Sequence, residues 1–204
     1  MADIDADGVR GNLERVRERI GDAVEICAAI KYVDAKDLPA LAEAGITLVG
    51  ENRAQDLAAK QDEHADLFEW DFIGALQSRK VKDVAPRVRL IHSVASESAL
   101  AQLEKHPAKG ILVQVNVAGE KGKAGIAPDE LGEFVARSPL PVSGLMTMPP
   151  FAEDPEESRP HFARLAELAG EHGLERLSMG TTQDYEVAVE EGATIVRLGS
   201  VLYD

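Results

Sequence analysis

The stretch I-C-A-A-I-K-Y-V-D-A-K-D-L-P-A-L-A-E-A-G-I-T-L-V, Ile26 to Val49, holds one complete structural unit. A short apolar run at 26–30 predicts a buried strand, Leu38, Leu41 and Ala42 recur at helical spacing, and a second apolar run at 46–49 predicts another strand. Strand, helix and strand in that order imply parallel pairing through a right-handed crossover. The first strand runs into a single lysine, Lys31. An amine at the mouth of a buried strand is a candidate nucleophile toward a carbonyl or aldehyde.

The same unit recurs along the chain. Further apolar runs fall at roughly 70–74, 89–94, 110–117, 141–147, 176–179 and 194–198, which with the first two makes eight predicted strands. Helical stripes lie between them: Leu131, Phe134 and Val135 after the fifth, and Phe162, Leu165, Leu168 and Ala169 after the sixth. Ahead of the first strand, Val9, Leu13, Val16 and Ile20 mark one face of a leading helix, with Gly21 as its stop. Eight β/α units favour closure into a (β/α)₈ TIM barrel over an open sheet. The 204 residues are at the low end for that barrel and leave no length for another domain, so a single domain over 1–204 is expected. P-P-F-A-E-D-P-E-E, Pro149 to Glu157, reads as an exposed acidic loop before a helix.

Composition narrows the function classes. No stretch approaches the ~20 consecutive apolar residues of a membrane span, and the acidic start M-A-D-I-D-A-D has neither the basic flank nor the apolar core of a secretory signal. A cytoplasmic protein without membrane attachment is expected. The formal charge of −14 argues against nucleic acid as a partner. Cys27, the single cysteine, reads as a buried, inert thiol. The histidines show no ligand spacing and there is no cysteine cluster, which argues against a transition-metal site.

In a barrel of this kind chemistry sits at the C-terminal strand mouths, and phosphate is frequently held by the loops after strands seven and eight. Strand seven runs into L-S-M-G-T-T-Q-D, Leu177 to Asp184, where Ser178 and Gly180 precede a helix start with Thr181 and Asp184 in capping-box spacing. Strand eight runs into I-V-R-L-G-S, with Gly199 and Ser200 at its end. Small residues, hydroxyls and free amides in both places suit a phosphate dianion, though either glycine alone could serve only to relieve a turn. Arg197, at the end of strand eight, must pair with an acid or serve a ligand if buried. Strands one and eight become neighbours on closure, so a phosphate-bearing aldehyde such as pyridoxal 5′-phosphate would satisfy Lys31, Arg197 and both loops. Asn52, in G-E-N-R-A-Q, either caps a helix with Gln55 reaching back or faces the pocket. Gln77 and its neighbouring cations read as solvated, and His92 as a satisfied wall residue.

The motifs A-I-K, G-E-N-x-x-Q, F-I-G-x-L-Q-x-x-K, I-H-S-V, Q-V-N-x-x-G-E-x-x-K-x-G, G-L-M-T-M-P-P, S-M-G and V-R-L-G-S occur in this order over nearly the whole chain. Together they resemble the pyridoxal phosphate homeostasis protein family. The resemblance implies a barrel like the N-terminal domain of alanine racemase, with pyridoxal 5′-phosphate held as an internal aldimine on Lys31. It places Ser178, Gly180, Gly199 and Ser200 on phosphate-binding positions and Arg197 opposite the pyridine nitrogen. It implies a cofactor carrier that delivers to pyridoxal-phosphate-dependent apoenzymes and has no established catalytic activity. A monomer is expected. The alternatives are a pyridoxal-phosphate-dependent amino-acid racemase and a lysine-dependent aldolase acting on a phosphorylated sugar. Ile30 and Tyr32 flank Lys31 where the family commonly has Ser and Thr, Asp71 and Arg79 stand where His and Asn are frequent, and Thr181-Thr182-Gln183 replaces a Met-Ser-type continuation. The closing helix is expected to be short or missing.

Overall fold

The computed structural model describes residues 4–203. Eight strands, β1 (Glu25–Ala29), β2 (Leu48–Glu51), β3 (Glu69–Phe72), β4 (Leu90–Val94), β5 (Ile111–Gln114), β6 (Val142–Met146), β7 (Arg176–Thr181) and β8 (Ile195–Leu198), close into one barrel in sequence order. Every pairing is parallel, and closure sets Glu25 to Ala28 of β1 beside Ile195 to Leu198 of β8. The helices are α1 (Ala6–Ile20), α2 (Leu38–Glu43), α3 (Ala54–His64), α4 (Val81–Val84), α5 (Glu97–Lys105), α6 (Leu131–Ala136), α7 (Arg159–Glu171), α8 (Tyr185–Glu190) and α9 (Ser200–Tyr203). The closing helix is therefore present and short. Among the described residues, no helix is long and apolar enough to cross a membrane.

The leading helix starts where the Asp5 carboxylate accepts the amides of Asp7 and Gly8, and it stops at Gly21. Its buried face is Val9, Val16 and Ile20, with Leu13 half-buried against the same core. The stripes expected on α6 and α7 face inward too: Leu131 and Phe134, and Phe162, Leu165, Leu168 and Ala169, are buried. Burial of each large apolar side chain contributes roughly 1.5–3 kcal/mol.

Strand positions follow the sequence, with shifts that have a physical cause. The run at 46–49 becomes a strand only from Leu48, because Ile46 and Gly45 finish α2: their amides donate to the carbonyls of Leu41 and Ala42 in a Schellman arrangement. The same double bond pattern ends α7 and α8, through Leu174 and Gly173 and through Ala193 and Gly192. The fifth strand stops at Gln114 rather than running to 117, since the following backbone pairs with its own loop: Asn116 donates to the Ile126 carbonyl, and Ile126 to that of Gln114.

The main core lies between sheet and helices. A second, smaller apolar cluster fills part of the barrel lumen and consists of Cys27, Leu48, Leu90, Leu112, Met146 and Ile195. Cys27 is fully buried there, and burial pushes its thiol well above the usual range, which keeps it inert. The rest of the lumen is polar. Asp71, His92, Ser178 and Arg197, from β3, β4, β7 and β8, are all buried.

Candidate functional site at the barrel mouth

Lys31 stands beyond the end of β1, exposed, with its amine 4.5 Å from the centre of the Tyr32 ring. The backbone just before it is pinned on both sides. Ile30 donates its amide to the Gly50 carbonyl, and its own carbonyl accepts from Lys60 Nζ at 2.6 Å. Lys60 is buried and pairs at 2.6 Å with Glu51, whose other carboxylate oxygen accepts the amides of Asn52 and Arg53. One ion pair beneath the surface thus fixes the ends of β1 and β2, the two places from which Lys31 and Asn52 project.

Asn52 does not cap α3. The residue before that helix is Arg53, with no side-chain capping bond, and Asn52 Oδ1 is buried without a hydrogen-bond partner among the described residues. Gly74 packs directly against its backbone: a Cβ at that position would sit 2.0 Å from the Asn52 carbonyl oxygen. The F-I-G motif therefore needs its glycine for close approach of the loops after β2 and β3.

Arg197 lies within β8, one residue before its end, and is buried, yet no carboxylate pairs with it among the described residues. Instead Nη1 donates to the Ser178 carbonyl at 2.8 Å and the Ser178 hydroxyl at 2.6 Å, while Nη2 donates to the Thr147 carbonyl at 2.9 Å and lies 2.8 Å from Met148 Sδ. Burial pulls the guanidinium down to about 10, so it remains a cation at neutral pH. In the loops, Thr182 Oγ1 accepts the Gly199 amide at 3.2 Å, which ties the end of β7 to the end of β8. The expected capping box is displaced: α8 begins at Tyr185, and Asp184 turns back to accept both the amide and the hydroxyl of Thr181.

These parts border one cavity of about 560 Å³ at the C-terminal mouth, in the size range of cofactor pockets. Of the residues predicted from sequence, Lys31, Asn52, Arg197, Gly199 and Ser200 line it together. Ser178 and Gly180 do not. Ser178 lies one side-chain layer deeper, bonded to Arg197, and Gly180 (φ +88°) packs outward, where a Cβ would meet the Ala188 side chain at 2.6 Å. Five further polar residues border the cavity: Tyr32, Thr181, Thr182, Gln183 and Tyr203, the last with a buried hydroxyl that has no partner among the described residues. Burial pushes that phenol well above its usual range. Gln77 and Arg79 bond each other outside the cavity, and His92 is fully buried below it. Thr182 had a signal in the sequence, because it lies in the loop expected to hold phosphate; Tyr203 had none.

The residues fit a phosphorylated aldehyde. An amine, a fixed cation, hydroxyls from two adjoining loops and two orphaned polar atoms, Asn52 Oδ1 and Tyr203 OH, all border one cavity and offer the partners that such a molecule lacks on leaving water.

The comparisons with known proteins agree with this geometry. The pyridoxal phosphate homeostasis protein of Aquifex aeolicus is 40% identical over 94% of this chain and 95% of its own length. That of Pseudomonas aeruginosa is 35% identical over 94% and 93%. Among solved structures, PipY of Synechococcus elongatus with PLP bound superposes with a TM-score of 0.84 at 29% identity, covering 96% of this chain and all of PipY. The family profile described as "Alanine racemase, N-terminal domain" matches residues 4–204. With that match over almost its whole length, the chain belongs to the alanine racemase N-terminal domain family, and its relatives there include proteins named for pyridoxal phosphate homeostasis.

Proposed function

We propose that this protein binds pyridoxal 5′-phosphate reversibly at the barrel mouth and serves in its homeostasis as a carrier. The observation that carries this reading is the meeting of Lys31, Arg197 and the loops after β7 and β8 on one cavity. The cofactor supplies an aldehyde that condenses with a lysine amine with loss of water. Lys31 offers that amine from an open position, held by the Lys60–Glu51 pair behind it. Thr182 and Ser200 offer hydroxyls to the phosphate, and the Gly199 amide, bonded to Thr182 Oγ1, holds the two loops together around it. Arg197 presents its charge to the ring, and Asn52 and Tyr203 offer their unpaired polar atoms.

Two features favour holding the cofactor over using it. A guanidinium against a pyridine nitrogen opposes protonation of that nitrogen and so weakens the ring as an electron sink. Tyr203, kept protonated by burial, is a donor and a poor base at neutral pH. We further infer a single-domain, cytoplasmic monomer that passes its cofactor to pyridoxal-phosphate-dependent apoenzymes; the relatives named for pyridoxal phosphate homeostasis support the carrier role.

The test is a spectroscopic titration. Purified chain given pyridoxal 5′-phosphate should develop the visible absorbance of a lysine adduct, and Lys31→Ala should lose it while keeping its fold by circular dichroism. Wild type without the band, or a band unchanged in Lys31→Ala, would refute the reading.

A further inference from the structure

The polar part of the lumen forms a continuous line from the closed end of the barrel to its mouth. At the closed end Arg89 pairs with Glu25 and grips Asp71 with two bonds, Nε to Oδ1 at 3.1 Å and Nη2 to Oδ2 at 2.8 Å. Asp71 Oδ2 lies 3.0 Å from His92 Nε2, His92 Nδ1 lies 2.8 Å from Ser178 Oγ, and Ser178 Oγ lies 2.6 Å from Arg197 Nη1. The middle bond crosses the lumen between β4 and β7, strands that are not neighbours in the sheet. Asp71, His92 and Ser178 are completely buried, so this serine, histidine and aspartate are sealed from any substrate and cannot act as a nucleophilic triad.

The chemistry of its two ends gives the line a direction. Arginine only donates, and an ionised carboxylate only accepts. Burial pushes the Asp71 carboxyl up, but hydrogen bonds from His92 and Arg89 outweigh it and hold the group below its usual range, hence ionised. His92 must then donate through Nε2. Burial, opposed by Asp71, holds the imidazole below its usual value, so it is neutral and Nδ1 carries no proton. Ser178 therefore donates to Nδ1 and receives from Arg197. Every proton along the line has one place to be.

We propose that Asp71, His92 and Ser178 are positioning residues, a one-way hydrogen-bond chain anchored on Arg89 that orients the Arg197 guanidinium toward the ring of a bound pyridoxal 5′-phosphate. This rests on the cofactor reading above. Ser178, expected in a phosphate loop, has this different task. Arg197 has no carboxylate of its own among the described residues, and the chain gives it a fixed route to one.

A double-mutant cycle on the full chain tests the proposal, with the cofactor dissociation constant and the position of the adduct band read for wild type, Ser178→Ala, Arg197→Gln and the double variant. Ser178→Ala should weaken binding about tenfold, as loss of a hydrogen bond to a charged group does, and should move the band in the direction that Arg197→Gln moves it. In the Arg197→Gln background the same change should alter affinity less than about twofold. Equal losses in both backgrounds would mean that Ser178 acts only through general stability, and would overturn the positioning role alone. A wild type without the band would sink the cofactor reading and this proposal with it. A second measurement needs no variant: nitrogen-15 shifts of His92 in the wild-type protein should report a protonated Nε2 and a bare Nδ1, and an imidazolium or the opposite tautomer overturns the chain.

Discussion

At the scale of single residues, the site depends on buried groups that hold exposed ones. Lys31 is free to meet a ligand because Lys60 and Glu51, out of sight behind it, fix the Ile30 carbonyl and the Asn52 amide. Breaking a buried ion pair from one side leaves the other charge unpaired, at a cost of about 3–5 kcal/mol. Lys60→Met should therefore lower stability by that order in urea unfolding and weaken cofactor binding, although Lys60 itself does not line the cavity. A variant with unchanged unfolding midpoint and affinity would show that the pair is not what positions Lys31. Lys31 and Arg197, which both line the cavity, are visible along the chain because each is a single cation just after or within an apolar strand. Sequence reasoning reached Asn52 only as one of two readings, and the structure selects the pocket-facing one. Ser178 was misplaced for a physical reason: a small hydroxyl near a strand end suits a phosphate as well as it suits a supporting bond. Only its depth in the lumen, set by strand tilt and stagger, separates the two.

At the scale of elements, the loops after the strands matter more than the strands themselves. The loop after β3 approaches that after β2 so closely that Gly74 has no room for a methyl group. Gly74→Ala should destabilise the fold by about 1–3 kcal/mol, the cost of overpacking, and by displacing Asn52 it should reduce cofactor affinity more than a surface change of equal instability would. Calorimetry together with the spectroscopic titration checks both. Helices and strands were legible because each strand is an apolar run followed by a stripe at helical spacing. The boundaries were less so. Ile46 has the apolar character of a strand residue and is spent on the helix cap, and after Val115, whose amide still reaches Met146 of β6, the chain at Asn116 bonds to Ile126 of its own loop. In both cases a local backbone hydrogen bond takes a residue that hydrophobicity alone assigns to the sheet.

At the scale of the whole molecule, the barrel carries a polar line through a lumen that such folds usually fill with branched apolar side chains. Nothing along the sequence announces it, because its central bond joins strands that are neither sequential nor adjacent. It has a consequence for stability against pH. His92 is held below its unfolded value of about 6.5, so the unfolded chain takes up this proton first as pH falls. The stabilisation is complete above about pH 6.5 and is lost as pH falls toward the folded value. Asp71, also held low, adds a further loss below about pH 4, near the unfolded carboxylate value. The melting temperature should thus be level from neutral pH down to about 6.5 and then decline. His92→Gln, which cannot titrate, should have a lower melting temperature at pH 7 and a shallower decline between about pH 6.5 and 5. An unchanged slope in the variant would place the titration elsewhere.

Borohydride reduction of the wild-type protein incubated with pyridoxal 5′-phosphate, followed by peptide mass spectrometry, determines whether Lys31 of this barrel holds the cofactor. The predicted result is a single reduced phosphopyridoxyl group on the peptide containing Lys31. An unmodified Lys31, with the label spread over surface lysines or absent, would contradict it.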